Sequence, residues 1–236
     1  MVGSKIVVKR GGKDEAEKPF WISFSDMMTA LMVLFLVVMG VALLAVTKTV
    51  SEREKKEEQH RKDIEAVLDR FEHASKRHDG IHVDRLRRVI DFGDRARFAF
   101  GKSNLDQSQE AVLRRFVPEI LTIADGDLGK RVLKRIVVEG YTDKTGTYLS
   151  NLNLSLQRSQ RVLCTMFANR GPNLLSESHK EQVRDLFLVG GYSFNAAKEK
   201  DEESRRVEMR LEFLSVDEVR APGARMQGNF GECSLV

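Results

Sequence analysis

The 236-residue sequence has only two cysteines, four prolines and one tryptophan. Cys164 and Cys233 are far apart and form no Cys-x-x-Cys spacing, which excludes zinc-ribbon and thioredoxin-type readings. No sustained block of one charge sign occurs. The 39 basic and 35 acidic residues are interspersed and leave a net charge of +4 with a pI near 9.1. Such a mixed surface lacks the clustered basic face that nucleic-acid binding requires. A phosphate-binding loop is missing too: Gly101-Lys102-Ser103 resembles its end, but Ala96 stands where the first glycine is needed. His78 and His82 lie four apart beside Asp79 and Asp84, yet Gly80 breaks the helix that would align them on a metal. No Ser-His-Asp or Cys-His arrangement is suggested, and His179 sits in a polar stretch. Neither a metal site nor a catalytic residue is expected, so the chain does not read as an enzyme.

What the sequence does have is one long apolar run. The twenty residues from Met27 to Val46 carry no charge. As a helix they span about 30 Å, the hydrocarbon thickness of a bilayer. The run is too long for a signal peptide, and Val41-Ala42-Leu43-Leu44-Ala45 offers a poor cleavage site, so an uncleaved membrane anchor is expected. Its flanks are nearly balanced, with Lys5, Lys9, Arg10, Lys13 and Lys18 before it and Lys48, Arg53, Lys55, Lys56, Arg61 and Lys62 after. Charge alone therefore leaves the orientation open.

Asp26 stands just inside the N-terminal end of this run. At 100° per residue it shares one stripe with Ala30, Val33, Val37, Gly40 and Leu44, while Met28, Leu31, Met32, Phe35 and Met39 lie opposite. Small residues let helices approach closely. A carboxylate on such a stripe faces other protein rather than lipid, where it can bind and release an ion or proton.

From Ser51 to Asp79 charge dominates, and Ile64, Val67, Leu68 and Phe71 supply one helical stripe, read as a solvated stalk or a partner-binding helix. Beyond Gly80 the texture alternates. Strand character is expected at Ile81–Val83, Val89–Phe92, Phe98–Phe100, Arg135–Gly140 and Leu186–Val189. Val207, Met209, Leu211 and Phe213 alternate with Glu208, Arg210 and Glu212 in a half-buried strand. Amphipathic helices are expected at Gln107–Ile123 and Ser155–Phe167, the second capped by Ser155. Strands interleaved with two long helices predict an α/β sandwich with helices on one sheet face. The last twenty or so residues, with Pro222, Gly223 and Gly228, read as loosely ordered.

Two motifs make the reading specific. The stretch Pro19-Phe20-Trp21-Ile22-Ser23-Phe24-Ser25-Asp26-Met27-Met28-Thr29-Ala30 resembles the start of a MotB-type stator subunit, in which the matching aspartate carries the coupling ion. Glu139-Gly140-Tyr141-Thr142-Asp143, Gly146 and Asn151-x-x-Leu154-Ser155-x-x-Arg158 are similar to the peptidoglycan-binding signature of OmpA-like domains. Ser204-Arg205-Arg206-Val207-Glu208 resembles the closing segment of the same domain, with Ser204 in place of the usual asparagine. Within this superfamily the chain most resembles the ZorB family of Zorya anti-phage defence systems, through Glu15–Trp21, Leu154–Ser159 and Gly190–Asn195.

The resemblance implies a single-pass inner-membrane protein of class α/β. A cytoplasmic tail would occupy 1–18, the transmembrane helix 19–47 and a periplasmic helical linker 48–79. An OmpA-like peptidoglycan-binding sandwich would follow over 80–214 and a tail over 215–236. It further implies an ion-driven rotary motor in which a homodimer, with Ala30, Val33 and Val37 near its axis, sits inside five MotA-like subunits. The translocated ion would be a proton or sodium, with no cofactor. Asp143 would accept from the ammonium of a stem-peptide amino acid, diaminopimelate in the family, and Arg158 would grip its carboxylate. Asn151 and Leu154 would line the pocket. In an oxidising periplasm Cys164 and Cys233 pair as a disulfide, the alternative being a buried free Cys164 and a mobile Cys233. A flagellar stator or a passive wall tether are the rival functions; the connector of about 34 residues is short for the first, and Asp26 argues against the second.

Overall fold

The computed structural model describes residues 17–221, 223 and 230–233. The expected tail 1–18, apart from its last two residues, lies outside them, as do Pro222 and Gly228. The chain divides into two compact units, 1–56 and 57–236.

Helix α1 runs over Glu17–Ser75. Nothing between Phe20 and Ser75 stops it: the stretch has no proline, and Gly40 is its only glycine. Every residue from Ser23 to Val50 is exposed. Soluble monomers rarely expose contiguous apolar patches of more than a few hundred Å². This helix is long and apolar enough to cross a membrane.

The second half of α1 behaves differently from the expected stalk. Ile64, Val67, Leu68, Phe71 and Ala74 are buried in the core of the C-terminal unit, which begins at Glu57 rather than at Gly80. The stripe was legible; what covers it was not, because amphipathicity names the buried face but not the surface that buries it. Here the covering surface is the protein's own domain.

Gly80, at φ +85°, turns the chain out of the helical region. The unit then adds β1 (His82–Asp84), β2 (Val89–Asp91), α2 (Gln107–Asp125), α3 (Asp127–Val132), β3 (Leu133–Gly140), α4 (Tyr148–Phe167), α5 (Glu177–Leu186), β4 (Phe187–Gly191), α6 (Asp201–Ser204) and β5 (Val207–Phe213). The sheet order is β1-β2-β5-β3-β4, with only the β3–β4 pair parallel. Ile136 faces Leu211 and Val138 faces Met209 across the β3–β5 ladder. These side chains join Leu113, Phe116, Ile120 and Leu121 of α2, Val162 and Met166 of α4, and the α1 stripe in one apolar core. Each such side chain contributes roughly 1.5–3 kcal/mol on burial.

Three local readings need correction. Phe98–Phe100 is no strand; the segment has only an isolated bridge between Arg97 and Arg206. Helix α4 starts two turns before Ser155, capped by the Thr147 side chain, which accepts from the Ser150 amide. Helix α5 was not anticipated, because its residues are mostly polar and only Lys180, Val183 and Leu186 are buried.

The described part of the C-terminal tail is tied down rather than loose. Just before the tail the Leu214 amide donates to Val132 O at 2.7 Å, and within it the Arg220 guanidinium donates to the carbonyls of Ala124, Gly129 and Leu133. Cys164 of α4 is joined to Cys233 by a disulfide across 69 residues of sequence. Loop-closure entropy sets an upper figure of about 4 kcal/mol for such a link. An unreduced tryptic digest should contain the Cys164–Cys233 peptide pair, and reduction should lower Tm. A digest with both cysteines alkylated and no linked pair would rule the bridge out.

Candidate functional site

In the N-terminal unit Asp26 is exposed on α1. One helical turn away the Thr29 hydroxyl donates to Ser25 O at 2.7 Å. A threonine that satisfies itself on its own helix adds no unpaired polar group to an apolar surface. Asp26 is then the one ionisable side chain between Trp21 and Thr47.

In the C-terminal unit the candidate ligand-binding residues gather where β3 and β4 end. Gly140 and Gly191 are paired across the parallel ladder. A Cβ on Gly140 would come within 1.9 Å of Ser155 O, and one on Gly191 within 2.8 Å of the Leu156 amide nitrogen. The absence of both side chains lets α4 lie directly on the strand ends. Ser155 exploits that approach: its hydroxyl donates to Leu152 O at 2.8 Å and accepts from the Ser193 amide at 3.0 Å. The residue read as a cap is thus a fully buried tie between α4 and the β4 loop.

Asp143 lies in the loop that leaves β3. One carboxylate oxygen accepts from the Thr145 amide at 3.0 Å, and the other from Arg205 Nη1 at 3.1 Å. Burial pushes this carboxyl up, but the Thr145 amide and the Arg205 guanidinium outweigh it and hold the pKa below the ordinary 3.8. Asn151, buried in the first turn of α4, donates to Thr145 O at 2.9 Å and ties the Asp143 loop to the helix. Leu154 is half-buried on α4. Thr142 is buried, and its hydroxyl has no hydrogen-bond partner among the described residues. An orphaned buried hydroxyl costs about 1–3 kcal/mol.

Arg158 departs from expectation. It sits in the middle of α4, not in its first turn, and is fully buried. Its Nε donates to Lys102 O at 3.0 Å, Nη1 to Tyr141 O at 2.6 Å and Nη2 to Ala99 O at 3.4 Å. The guanidinium also lies over the Phe98 ring, 5.0 Å from its centroid. Burial drives its pKa down to about 10. Among the described residues no ion pair joins it to Asp143, whose partner is Arg205. Arg205 was not singled out from the sequence, although the Ser204–Glu208 segment that contains it had been matched.

Beneath the loop a charged layer occupies the sheet face away from the core. Glu139 and Glu208 face each other directly in the β3–β5 register, and both are fully buried. Two adjacent buried carboxylates repel unless cations are interleaved. Arg210 donates to Glu139 at 2.5 and 2.9 Å, Arg206 to Glu208 at 2.7 Å, Arg87 to Glu208 at 3.1 Å, and the Tyr141 hydroxyl to Glu139 at 2.6 Å. Arg206 also stacks on Tyr141, 4.3 Å from the ring centroid. The floor of the Asp143 loop is therefore rigid and electrically compensated. His78 is spent elsewhere, on Glu119 at 2.8 Å, and no metal-holding cluster occurs among the described residues.

Comparison with known proteins agrees with both halves. The OmpA family model matches residues 97–206. A model described as membrane MotB of the proton-channel complex MotA/MotB matches residues 7–57. Over 223 residues the sequence is 44% identical to the Zorya protein ZorB from an ETEC strain of Escherichia coli, covering 93% of this chain and 91% of the relative. The chain belongs to the ZorB family. A second Zorya protein ZorB, from Escherichia coli strain Crooks, is 26% identical over 227 residues, covering 88% and 93%. Among solved structures, the periplasmic domain of MotB (residues 64–256) is similar at 17% identity and a TM-score of 0.39, covering 55% of this chain and 65% of that one. In this ZorB-family chain the MotB-matched segment contains Asp26, and the OmpA-matched segment contains Asp143, Arg158 and Arg205.

Proposed function

We propose that the chain is the wall-anchored subunit of an ion-driven inner-membrane motor acting in anti-phage defence. Its N-terminus is cytoplasmic and its C-terminal unit periplasmic. Two copies pair through the Asp26 stripe inside a ring of MotA-like subunits, five by family resemblance. Asp26 takes up and releases the ion, a proton or sodium, as the ring turns. The role is mechanical and conductive rather than catalytic, and no cofactor is invoked. The observation that carries the reading is the combination, in one chain, of a lone carboxylate on a spanning helix with a rigid loop holding an ionised Asp143. A flagellar stator shares those parts, but the 44% identity to a Zorya protein favours the defence setting.

Anchoring follows from the Asp143 loop. Its carboxylate suits the ammonium of a stem-peptide amino acid, Thr142 offers an unpaired hydroxyl beside it, and Asn151 and Leu154 shape the rim. Asp143→Asn keeps the size and the Thr145 contact but removes the charge. Full-length protein in detergent should lose most of its sedimentation with cell-wall sacculi while Tm shifts by only a few degrees. Undiminished sedimentation would remove Asp143 from the site.

The pH dependence has a definite sign. A carboxylate whose folded pKa is lowered supports stability fully above its unfolded value and loses that support as pH falls through the folded one. Both wall binding and this contribution to stability should be flat from pH 7 to about 5 and decline only below about 4. Asp143→Asn should abolish the binding, and its Tm should lose the corresponding acid-side slope. A midpoint for binding near neutrality would point to a different group.

A further inference from the structure

We propose that Ser193 is a positioning residue of the wall-binding site: held in the left-handed backbone region, it locks the peptide plane from which Asp143 is displayed. The proposal rests on the wall-binding reading above and leaves the ligand contacts of that reading unchanged.

Gly140 and Gly191 are the last paired residues of the β3–β4 ladder. The next bond, from the Tyr192 amide to Gly140 O at 3.0 Å, is still in register. A regular parallel ladder would then join the Thr142 amide to Tyr192 O. Tyr192 O instead accepts from the Asn195 amide at 3.1 Å, closing a turn, and the Thr142 amide reaches Ser193 O at 3.0 Å. This displacement by one residue coincides with a bend at Ser193, whose φ is +53°. That conformation is uncommon for a residue with a Cβ and persists only where surrounding contacts fix it. Ser193 is fully buried, and each of its polar groups is used. Its amide donates to Ser155 Oγ at 3.0 Å, its hydroxyl donates to Tyr148 O at 3.2 Å, and its carbonyl takes the Thr142 amide.

The consequence falls on the peptide between Tyr141 and Thr142. A peptide is a rigid plane. This one is held on its oxygen by Arg158 Nη1 at 2.6 Å and on its N–H by Ser193 O at 3.0 Å. Asp143 is the next residue, so the plane sets the direction in which its carboxylate is presented. Among the described residues Arg158 spends three of its five N–H donors on carbonyls and keeps two uncommitted. The acid and the guanidinium thus come from different elements, the loop after β3 and helix α4. Ser193 bonds to both, reaching α4 at Tyr148, its first residue, and at Ser155, about one turn before Arg158. Two charges that meet one amino-acid end must be held at a fixed spacing, and this turn fixes it.

Three substitutions separate the conformation from the hydroxyl. Glycine adopts φ +53° without strain, valine is kept out of that region by its branched Cβ, and alanine lies between; none carries the hydroxyl. Full-length protein in detergent is sedimented with increasing amounts of cell-wall sacculi between about pH 7 and 3, well below the Tm of each variant. Ser193→Gly keeps the conformation, so binding should weaken by about threefold at most. Ser193→Val should bind about 10-fold more weakly, the worth of one charge-assisted hydrogen bond lost from alignment. The acid limb supplies a reading that a merely stabilising residue would not move. Against burial, which raises it, the Thr145 amide and the Arg205 guanidinium hold the Asp143 carboxyl below 3.8. If the 141–142 plane turns, both contacts weaken and the carboxyl protonates at higher pH. The charges facing Asp143, those of Arg205 and Arg158, are the same in every variant. The midpoint of acid loss should therefore move up in Ser193→Val and stay in place in Ser193→Gly. Ser193→Ala should fall between them, and it carries the comparison if the valine variant does not fold. Wild-type affinity and midpoint in the most strained variant that folds would overturn the proposal. So would a glycine variant as weak as valine, or a loss of affinity that follows Tm with the midpoint unmoved. Wild-type protein that does not sediment with sacculi overturns the wall-binding reading, and this proposal with it.

Discussion

Asp26→Asn is expected to reduce ion flux and phage protection to background while the complex with the membrane partner still assembles. The argument begins with the surface of α1. From Ser23 to Val50 every residue is exposed in the single chain, and from Met27 to Val46 all but Thr29 and Gly40 are strongly apolar. In a bilayer that surface is satisfied by lipid or by other helices, but a carboxylate is not satisfied by lipid. Placing one at mid-membrane costs roughly 2.5–3.5 kcal/mol on insertion scales, less near an end. Asp26 shares its stripe with Ala30, Val33, Val37 and Gly40, the face on which a neighbouring helix can come closest. In the proposed motor a partner helix covers this face, and the charge of Asp26 is what couples it to the ion. Asparagine matches aspartate in size and hydrogen bonding but does not titrate. Co-purification with the partner should therefore be unchanged, while flux into vesicles and plating efficiency report the loss. Asp26→Glu, which restores the charge one methylene further out, should recover part of the flux. Repeating the flux measurement with sodium replaced by potassium separates proton from sodium transport. Full protection by Asp26→Asn would end the ion-carrier reading.

Those parts of the fold whose periodicity is strong were legible in the sequence. The apolar run gave the spanning helix, the alternation from Val207 to Phe213 gave β5, and the Ile136–Val138 cluster gave β3. Helix α5 was hidden because a mostly polar ten-residue helix needs only Val183 and Leu186 to dock. The first two turns of α4 were missed because the residues they bury are polar, Asn151 and Ser155, while Leu149 is 72% exposed. Ser155 was misread for a related reason. Serine suits a cap and also suits a buried contact between two closely packed backbones, and only the Gly140 and Gly191 approach tells them apart. Asp143 was singled out in the sequence because its motif is local. Its partner could not, since Arg205 arrives 62 residues later and nothing in a pair of arginines says which one faces a carboxylate.

Phe71→Ala is expected to destabilise the C-terminal unit by about 3–5 kcal/mol, the cost of removing a large aromatic side chain from a packed core. The domain boundary is at stake. Phe71 and Val67 are fully buried, and Leu68 and Ala74 nearly so, although they precede the point where the texture of the sequence changes. On the outer side of the same helix Arg85 reaches Glu65 at 2.7 Å, Asp69 at 2.6 Å and Glu72 at 3.1 Å. These pairs are solvent-exposed and add little by themselves. The apolar stripe is the larger effect. Ile64, Val67, Leu68 and Phe71 at roughly 1.5–3 kcal/mol each sum to about 6–12 kcal/mol, comparable with the roughly 5–15 kcal/mol that holds a typical domain folded. A fragment beginning at Gly80 should therefore fail to melt cooperatively, whereas one beginning at Glu57 should unfold in a single transition. Leu86→Ala is the control: Leu86 is 97% exposed, and its loss should cost less than about 0.5 kcal/mol. Equal melting temperatures for the two fragments would return the second half of α1 to the role of a solvated stalk.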